Sequence, residues 1–174
     1  MNPKRSLFLI GFMGSGKTTY GRLLAQALDM PFVDLDEALE QEHGMKVVEL
    51  FEAWGETRFR REERLMLRSV AGNAPLVVAT GGGTACFFDN MDFMNEVGET
   101  LYMRTSVREL KSRLLFSKED RPLLRGKTDA ELKQYIAETL EKREVYYLKA
   151  QYILDTDNLN AHNLMDSYEA IRAV

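Results

Sequence analysis

The chain has 174 residues, enough for one domain with a sizeable core and too few for two of ordinary size. With 45% hydrophobic residues, 29% charged residues and a formal net charge of −4, it has the composition of a soluble globular protein. It carries no global positive field to draw nucleic acid or an anionic membrane. No apolar run approaches the roughly 20 residues that span a bilayer. Lys4 and Arg5 precede the short run Leu7-Phe8-Leu9-Ile10, but that run stops at Gly11 without the small-residue cleavage site of a signal peptide. The single cysteine, Cys86, cannot close an internal disulfide, which suits a reducing, cytoplasmic setting. No nucleophile motif surrounds it, so it reads as a small apolar packing residue.

In chain order, Ser6 to Ile10 is a short apolar run ending in a glycine-rich turn, as expected of a buried parallel strand. Thr18 to Leu28 has helical spacing, with Leu23, Leu24, Ala27 and Leu28 on one side. Phe32-Val33 is a second brief strand closed by Asp34. Leu76 to Ala79, Leu101 to Met103 and Tyr152 to Leu154 are three further β-type runs. Between and after them, helices are expected over Glu56 to Val70, Ser106 to Leu115, Asp129 to Tyr147 and Asn160 to Ala173. Alternating strands and helices predict an α/β fold, a five-stranded parallel sheet flanked by helices, in one domain over residues 1–174. The polar stretch 116–128 (FSKEDRPLLRGKT) contains Pro122 and Gly126. It is longer than a helix connection needs and is the natural place for a lid.

Gly11-Phe-Met-Gly-Ser-Gly16-Lys17-Thr18 fits G-x-x-x-x-G-K-[ST] directly after a strand and before a helix. Such a P-loop turns backbone N–H groups inward over a helix N-terminus and cradles phosphates. In it, Lys17 reaches the β- and γ-phosphates and the Thr18 hydroxyl binds Mg²⁺. Average residue frequencies would give the pattern by chance about one time in a hundred in a chain of this length. The Asn-Lys-x-Asp segment by which GTPases read guanine does not occur. The strand Leu76 to Ala79 runs into Thr80-Gly81-Gly82-Gly83 instead of ending in the aspartate that often completes a magnesium site. Asp34 and Asp36 stand at the end of the second strand, the edge where open α/β sheets bind ligands. Alternation along an extended segment would aim both carboxylates to one side, one for Mg²⁺ and the other for an acceptor hydroxyl. Either aspartate alone could equally be a helix N-cap.

Arg58, Arg60, Arg61, Arg64 and Arg68 crowd the stretch 56–70. Most should be solvated helix charges, while one or two could grip a carboxylate with the guanidinium fork. Phe59 would add an apolar wall beside Arg60. The triplet Gly81-Gly82-Gly83 lets backbone approach where a side chain would obstruct. His43 and His162 lack metal-ligand spacing and read as surface residues. Val48, Phe51 and Trp54 fit a core or pocket wall, and the nine methionines adaptable packing.

Taken together, these motifs resemble those of the shikimate kinase family over nearly the whole chain. They are GFMGSGKTT at 11–19, Asp34-x-Asp36, Gly55-Glu56-x-x-Phe59-Arg60-x-x-Glu63, Gly81-Gly82-Gly83, Arg121-Pro122-Leu123-Leu124 and Arg143-x-x-x-Tyr147. The resemblance implies a three-layer P-loop kinase fold with a lid, an acceptor-binding helical region over about 35–62, and transfer of the ATP γ-phosphoryl group to the 3-hydroxyl of shikimate. It implies nucleotide contacts from Gly14, Ser15, Gly16, Lys17, Thr18, Thr19, Arg113 and Arg121, with Arg113 along the adenine and Arg121 over the phosphates. Mg²⁺ would be held at Thr18 and Asp34. Shikimate would be held by Asp36, Arg60, Glu63, Gly81, Gly82, Gly83 and Arg143, with Glu63 orienting Arg60. Lys17, Asp36 and Arg121 are the implied catalytic residues. The implied enzyme takes a small-molecule acceptor as a cytoplasmic monomer, with no nucleic-acid or membrane partner. Two departures stand out. Many relatives have a proline where this chain has Glu144-Val145-Tyr146. Many also carry a basic residue after the last strand, where this chain has Asp155-Thr-Asp-Asn158. A gluconate or nucleoside monophosphate acceptor is the nearest alternative, and an ATP-sensing regulatory domain without catalysis is the more distant one.

Overall fold

The structure is a computed structural model and describes residues 5–72, 75–116 and 126–173. Five strands form one sheet: β1 (Ser6–Ile10), β2 (Phe32–Asp34), β3 (Val77–Ala79), β4 (Gly98–Arg104) and β5 (Tyr152–Asp155). Their order across the sheet is β2-β3-β1-β4-β5, and every pairing is parallel. All five C-terminal ends therefore line one edge, the ligand-binding edge of an open α/β sheet. The helices are α1 (Lys17–Leu28), α2 (Leu35–His43), α3 (Val47–Ala71), α4 (Asn90–Val97), α5 (Val107–Phe116), α6 (Asp129–Tyr147) and α7 (Leu164–Arg172).

The central strand divides its side chains between two layers, as strand alternation requires. Leu7 and Leu9 join Leu24 and Ala25 of α1 and Leu164 and Tyr168 of α7 on one face. Phe8 and Ile10 join Leu67, Leu110, Leu114 and Ile136 on the other. Both faces of β1 are buried, so its sequence is a continuous apolar run with no alternation. A separate small cluster of Leu39, Leu50 and Phe59, with Val47, Trp54 and Met66 packed on it, holds α2 against α3.

The five expected strands are all present, and β4 begins at Gly98, three residues before its apolar signal. α4 lies where no helix was expected, and α2, which apolar spacing did not mark, falls within the helical region expected over about 35–62. α3 is two segments joined at Gly55, whose φ of 72° and ψ of 169° are not helical. The second segment matches the helix expected from Glu56. The turn at Gly55 uses the backbone freedom that only glycine offers cheaply.

Gly98 tests how tightly β1 and β4 are joined. A Cβ there would lie 2.5 Å from the Ser6 carbonyl oxygen and 2.5 Å from the Phe8 ring. Intrinsic preference favours alanine over glycine within a strand. Gly98→Ala should instead lose about 2 kcal/mol through overpacking, lowering Tm by roughly 4–8 °C. Calorimetry showing an unchanged or raised Tm would refute this account of the sheet centre.

Candidate functional site

The loop after β1 and the first turn of α1 form the phosphate cradle. Gly14 and Gly16 have φ of 81° and 95°, left-handed values that permit the loop to curl back onto the helix start. Gly16 is the N-cap of α1 without a side-chain cap, so the helix offers its first N–H groups and its positive dipole end to an anion. Lys17 is buried and donates from Nζ to the carbonyl oxygens of Gly11 and Phe12, both at 2.8 Å. The Ser15 hydroxyl is fully buried and has no hydrogen-bond partner among the described residues, an orphan polar atom that the oxygen of a bound phosphate would satisfy. Thr19 is exposed in the same helical turn.

Thr18 donates from Oγ1 to Asp34 Oδ2 at 2.6 Å. The other oxygen of Asp34 accepts from the backbone N–H of Asp36 at 3.0 Å and of Glu37 at 3.3 Å. Asp34 is thus both the N-cap of α2 and the partner of the P-loop threonine. Thr18 and Asp34 are hard oxygen donors of the kind Mg²⁺ takes alongside phosphates and water. The carboxylates do not alternate along an extended segment, because helix α2 begins at Leu35. Asp36 is brought toward the acceptor pocket by the first turn of that helix.

The acceptor side is assembled around the glycine triplet. A Cβ on Gly81 would lie 2.8 Å from Glu63 Oε1 and 3.0 Å from both Asp36 Oδ1 and Thr84 Oγ1. A Cβ on Gly82 would lie 3.4 Å from Arg143 Nη1, and one on Gly83 2.6 Å from Arg60 Nη2. The three glycines are required for room, since none has a left-handed φ. Any side chain there would displace the charged groups that surround the pocket. Of the five arginines in 56–70, Arg60 is the one that is buried. Its Nη1 donates to Glu63 Oε2 at 2.9 Å, and Glu63 is itself buried. Arg60 Nε is a buried donor without a hydrogen-bond partner among the described residues, 3.5 Å from Glu56 Oε1. The guanidinium packs over the rings of Phe87 at 4.3 Å, Phe59 at 5.3 Å and Phe51 at 5.9 Å.

Arg143 approaches from α6, with its guanidinium 5.7 Å from the Phe12 ring. Tyr147, one turn on, donates its hydroxyl to the Gly82 carbonyl. Glu144 accepts from the Tyr102 hydroxyl at 3.1 Å, and α6 stays regular to Tyr147. Asp36 is half-buried, and its carboxyl is pushed up to about 7. Burial is the largest cause, followed by the nearby charges of Glu63 and Asp34, which outweigh Lys17 and Arg60. Burial likewise pushes the Cys86 thiol up to about 11, although Arg143 and Arg60 lie near enough to oppose the shift. A thiol in that state is not a nucleophile at neutral pH.

Arg113 bridges the two walls of the nucleotide side. Nη1 donates to the Ser15 carbonyl at 3.1 Å, Nη2 to the Thr156 carbonyl at 2.8 Å and Nε to Glu109 at 2.8 Å. Arg121 and most of the expected lid lie outside the described residues. The two ends of that expected segment are Phe116, which ends α5, and Thr128, which caps α6 in a capping box with Glu131. His43 is not a free surface residue, because its ring meets Trp54 edge-on at 4.8 Å. Thr84, Phe87 and Tyr147 acquire contacts at the pocket that no local motif assigned them. Each depends on residues distant in sequence.

The sequence matches the family model described as shikimate kinase over residues 13–172. A shikimate kinase of Bacteroides thetaiotaomicron is 46% identical over 153 residues, which cover 88% of this chain and 87% of that protein. A crystal structure of shikimate kinase from the same organism superposes with a TM-score of 0.91 at 42% identity, covering 97% of each chain. A shikimate kinase from Acinetobacter baumannii, solved in complex with shikimate, has a TM-score of 0.88 at 31% identity, covering 98% of this chain and 94% of that one. This chain belongs to the shikimate kinase family.

Proposed function

We propose that the protein transfers the γ-phosphoryl group of ATP to the 3-hydroxyl of shikimate, giving shikimate 3-phosphate and ADP, in the route to chorismate and the aromatic amino acids. The observation that carries the reading is the buried Arg60–Glu63 pair, grouped with Asp36 and Arg143 around the glycine triplet on the same sheet edge as the P-loop. The relative solved with shikimate supports the choice of acceptor.

On this reading Arg60 and Arg143 hold the acceptor carboxylate, and the unpartnered Arg60 Nε gains an acceptor. Glu63 keeps Arg60 oriented. The backbone of Gly81, Gly82 and Gly83 forms the floor beneath the ring. Asp36 accepts a hydrogen bond from the reacting hydroxyl and takes its proton as the oxygen attacks phosphorus. Lys17, the Ser15 hydroxyl and the first N–H groups of α1, including those of Thr18 and Thr19, bind the phosphate oxygens and hold the leaving ADP in line. Thr18 and Asp34 would hold Mg²⁺, which when bound neutralises charge on the β- and γ-phosphate oxygens. Arg113 walls the base side, and Arg121 adds positive charge to the transferring group. The reading includes one domain, with the acceptor-binding region at about 35–62 and the lid at about 116–128. The enzyme works as a cytoplasmic monomer. No helix among the described residues is long and apolar enough to cross a membrane.

The direct test measures ADP release with Mg²⁺-ATP while shikimate, gluconate and nucleoside monophosphates are varied. Turnover with shikimate is expected; turnover with gluconate alone would end the proposal. Light scattering on the eluting protein should give one species near 20.0 kDa, and a mass of about twice that would remove the monomer.

Arg60→Ala removes a charged hydrogen bond worth about 1.5–3 kcal/mol, so KM for shikimate should rise roughly 10- to 150-fold. KM for ATP should stay within about twofold. Equal losses for both substrates would place Arg60 outside the acceptor site.

Asp36→Asn should lower kcat by about 10²–10⁴, the range for loss of a general base. The same change should stabilise the ligand-free protein at pH 8. A carboxyl raised from its ordinary 3.8 to about 7 loses stability as pH climbs from about 4 to 7, because the unfolded chain ionises first. Above pH 7 that loss is complete. The Tm gain of Asp36→Asn should therefore reach at least about 4 °C at pH 8 and largely vanish at pH 4. A gain confined to acid pH would contradict the sign.

A further inference from the structure

We propose that Thr84 is a positioning residue for the acceptor site: its hydroxyl fixes Glu63, and Glu63 fixes Arg60 in the orientation that grips the acceptor carboxylate. The inference deepens the shikimate reading and rests on it.

Thr84 is fully buried in a short 3-10 turn at Thr84–Cys86 that follows the glycine triplet. Its Oγ1 donates to Glu63 Oε1 at 2.7 Å, while Glu63 Oε2 accepts from Arg60 Nη1 at 2.9 Å. Each carboxylate oxygen of Glu63 thus has its own donor, one from its own helix and one from the turn across the pocket. An i,i+3 pair on a single helix leaves the glutamate free to rotate about its last torsions. A second donor from a different element removes that freedom.

Thr84 is itself held from two sides. Its N–H donates to the Gly81 carbonyl at 3.2 Å. Its carbonyl accepts from Asn90 Nδ2 at 2.9 Å, and Asn90, also fully buried, accepts from Arg68 Nη1 at 3.1 Å. Arg68 returns the chain of contacts to α3, the helix that carries Arg60 and Glu63. The circuit closes only because Gly81 and Gly83 leave room beside Thr84, Glu63 and Arg60. Phe87, from the segment that follows Thr84, has its ring 4.3 Å from the same guanidinium.

Thr84→Val keeps the shape and removes the hydroxyl. Loss of one hydrogen bond to a charged group predicts about a tenfold rise in KM for shikimate, with KM for ATP within about twofold. Thr84→Ser, which restores the donor, should return KM for shikimate to within about threefold of the wild type. In a Glu63→Ala background the Thr84→Val step should change KM by less than about twofold, because its effect runs through Glu63. Thermal melts confirm folding, and Thr84→Ala takes the same test if the valine variant does not fold. An unchanged KM for shikimate, parallel rises for both substrates, or an undiminished effect without Glu63 would overturn the proposal. Wild-type protein that turns over ATP with another acceptor and not with shikimate would instead overturn the substrate reading, and this inference with it.

Discussion

The carboxylate of Glu63 is the constraint from which the acceptor pocket follows. It is almost wholly removed from water, and a buried charge is tolerated only when its lone pairs are met by well-placed donors. Arg60 and Thr84 meet them. Desolvation offsets most of the attraction within such a pair, so it stabilises the fold little. Its yield is geometric: a guanidinium fixed at one edge by Glu63 and flanked by three aromatic rings, with a buried donor left over. The glycine triplet is the steric counterpart of that charge. Three adjacent Cβ atoms would occupy the space in which Asp36, Glu63, Arg60 and Arg143 come together.

Asp34 joins the phosphate cradle to this pocket. Asp34 caps α2 through one oxygen and receives Thr18 through the other. The start of α1, which faces the nucleotide, and the start of α2, which carries Asp36, are therefore fixed to the same carboxylate. A cap contributes about 1 kcal/mol by itself; here it also fixes the separation between donor and acceptor sites. Arg113 does the same on the far side, tying the Ser15 carbonyl to the Thr156 carbonyl beyond β5. The P-loop is thus anchored from both flanks. Phosphoryl transfer depends on in-line positioning more than on covalent assistance, so this anchoring is where the fold serves the chemistry.

Features whose physics is local were legible in the sequence. The P-loop lies between β1 and α1 because its glycines and lysine encode both the turn and the anion nest. The strands were readable because buried parallel strands are continuous apolar runs. α4 was missed, and α2 was marked only by its cap and the family resemblance, for a local reason too: α2 is short and rich in glutamate, and α4 opens on Asn90-Met91-Asp92, so neither shows a long apolar stripe. Asp34 caps α2 through one oxygen and leaves the other to Thr18, so its role as a cap does not use up the carboxylate. No sequence spacing could show that Thr84 reaches Glu63, 21 residues away, or that Tyr147 reaches Gly82, 65 residues away. Those contacts exist only once the sheet order is set. The burial of Arg60 alone among five neighbouring arginines was equally invisible, because it depends on Phe51, Phe59 and Phe87 closing around it.

Asp36 joins stability to chemistry. Lys17 and Arg60 favour its charged form, yet burial and two neighbouring carboxylates prevail and push its carboxyl up to about 7. Any positive charge brought between Asp34 and Asp36, or an acceptor hydroxyl donating to Asp36, shifts the balance toward the carboxylate. By linkage, the groups that complete the reactive complex bind more tightly to the ionised form, and their binding releases the proton. A site built in this way destabilises the ligand-free fold at neutral pH, and the strain is relieved when substrates bind. On the proposed reading the residues that impose it also position the transfer, so relaxing the fold at Asp36 would cost the reaction.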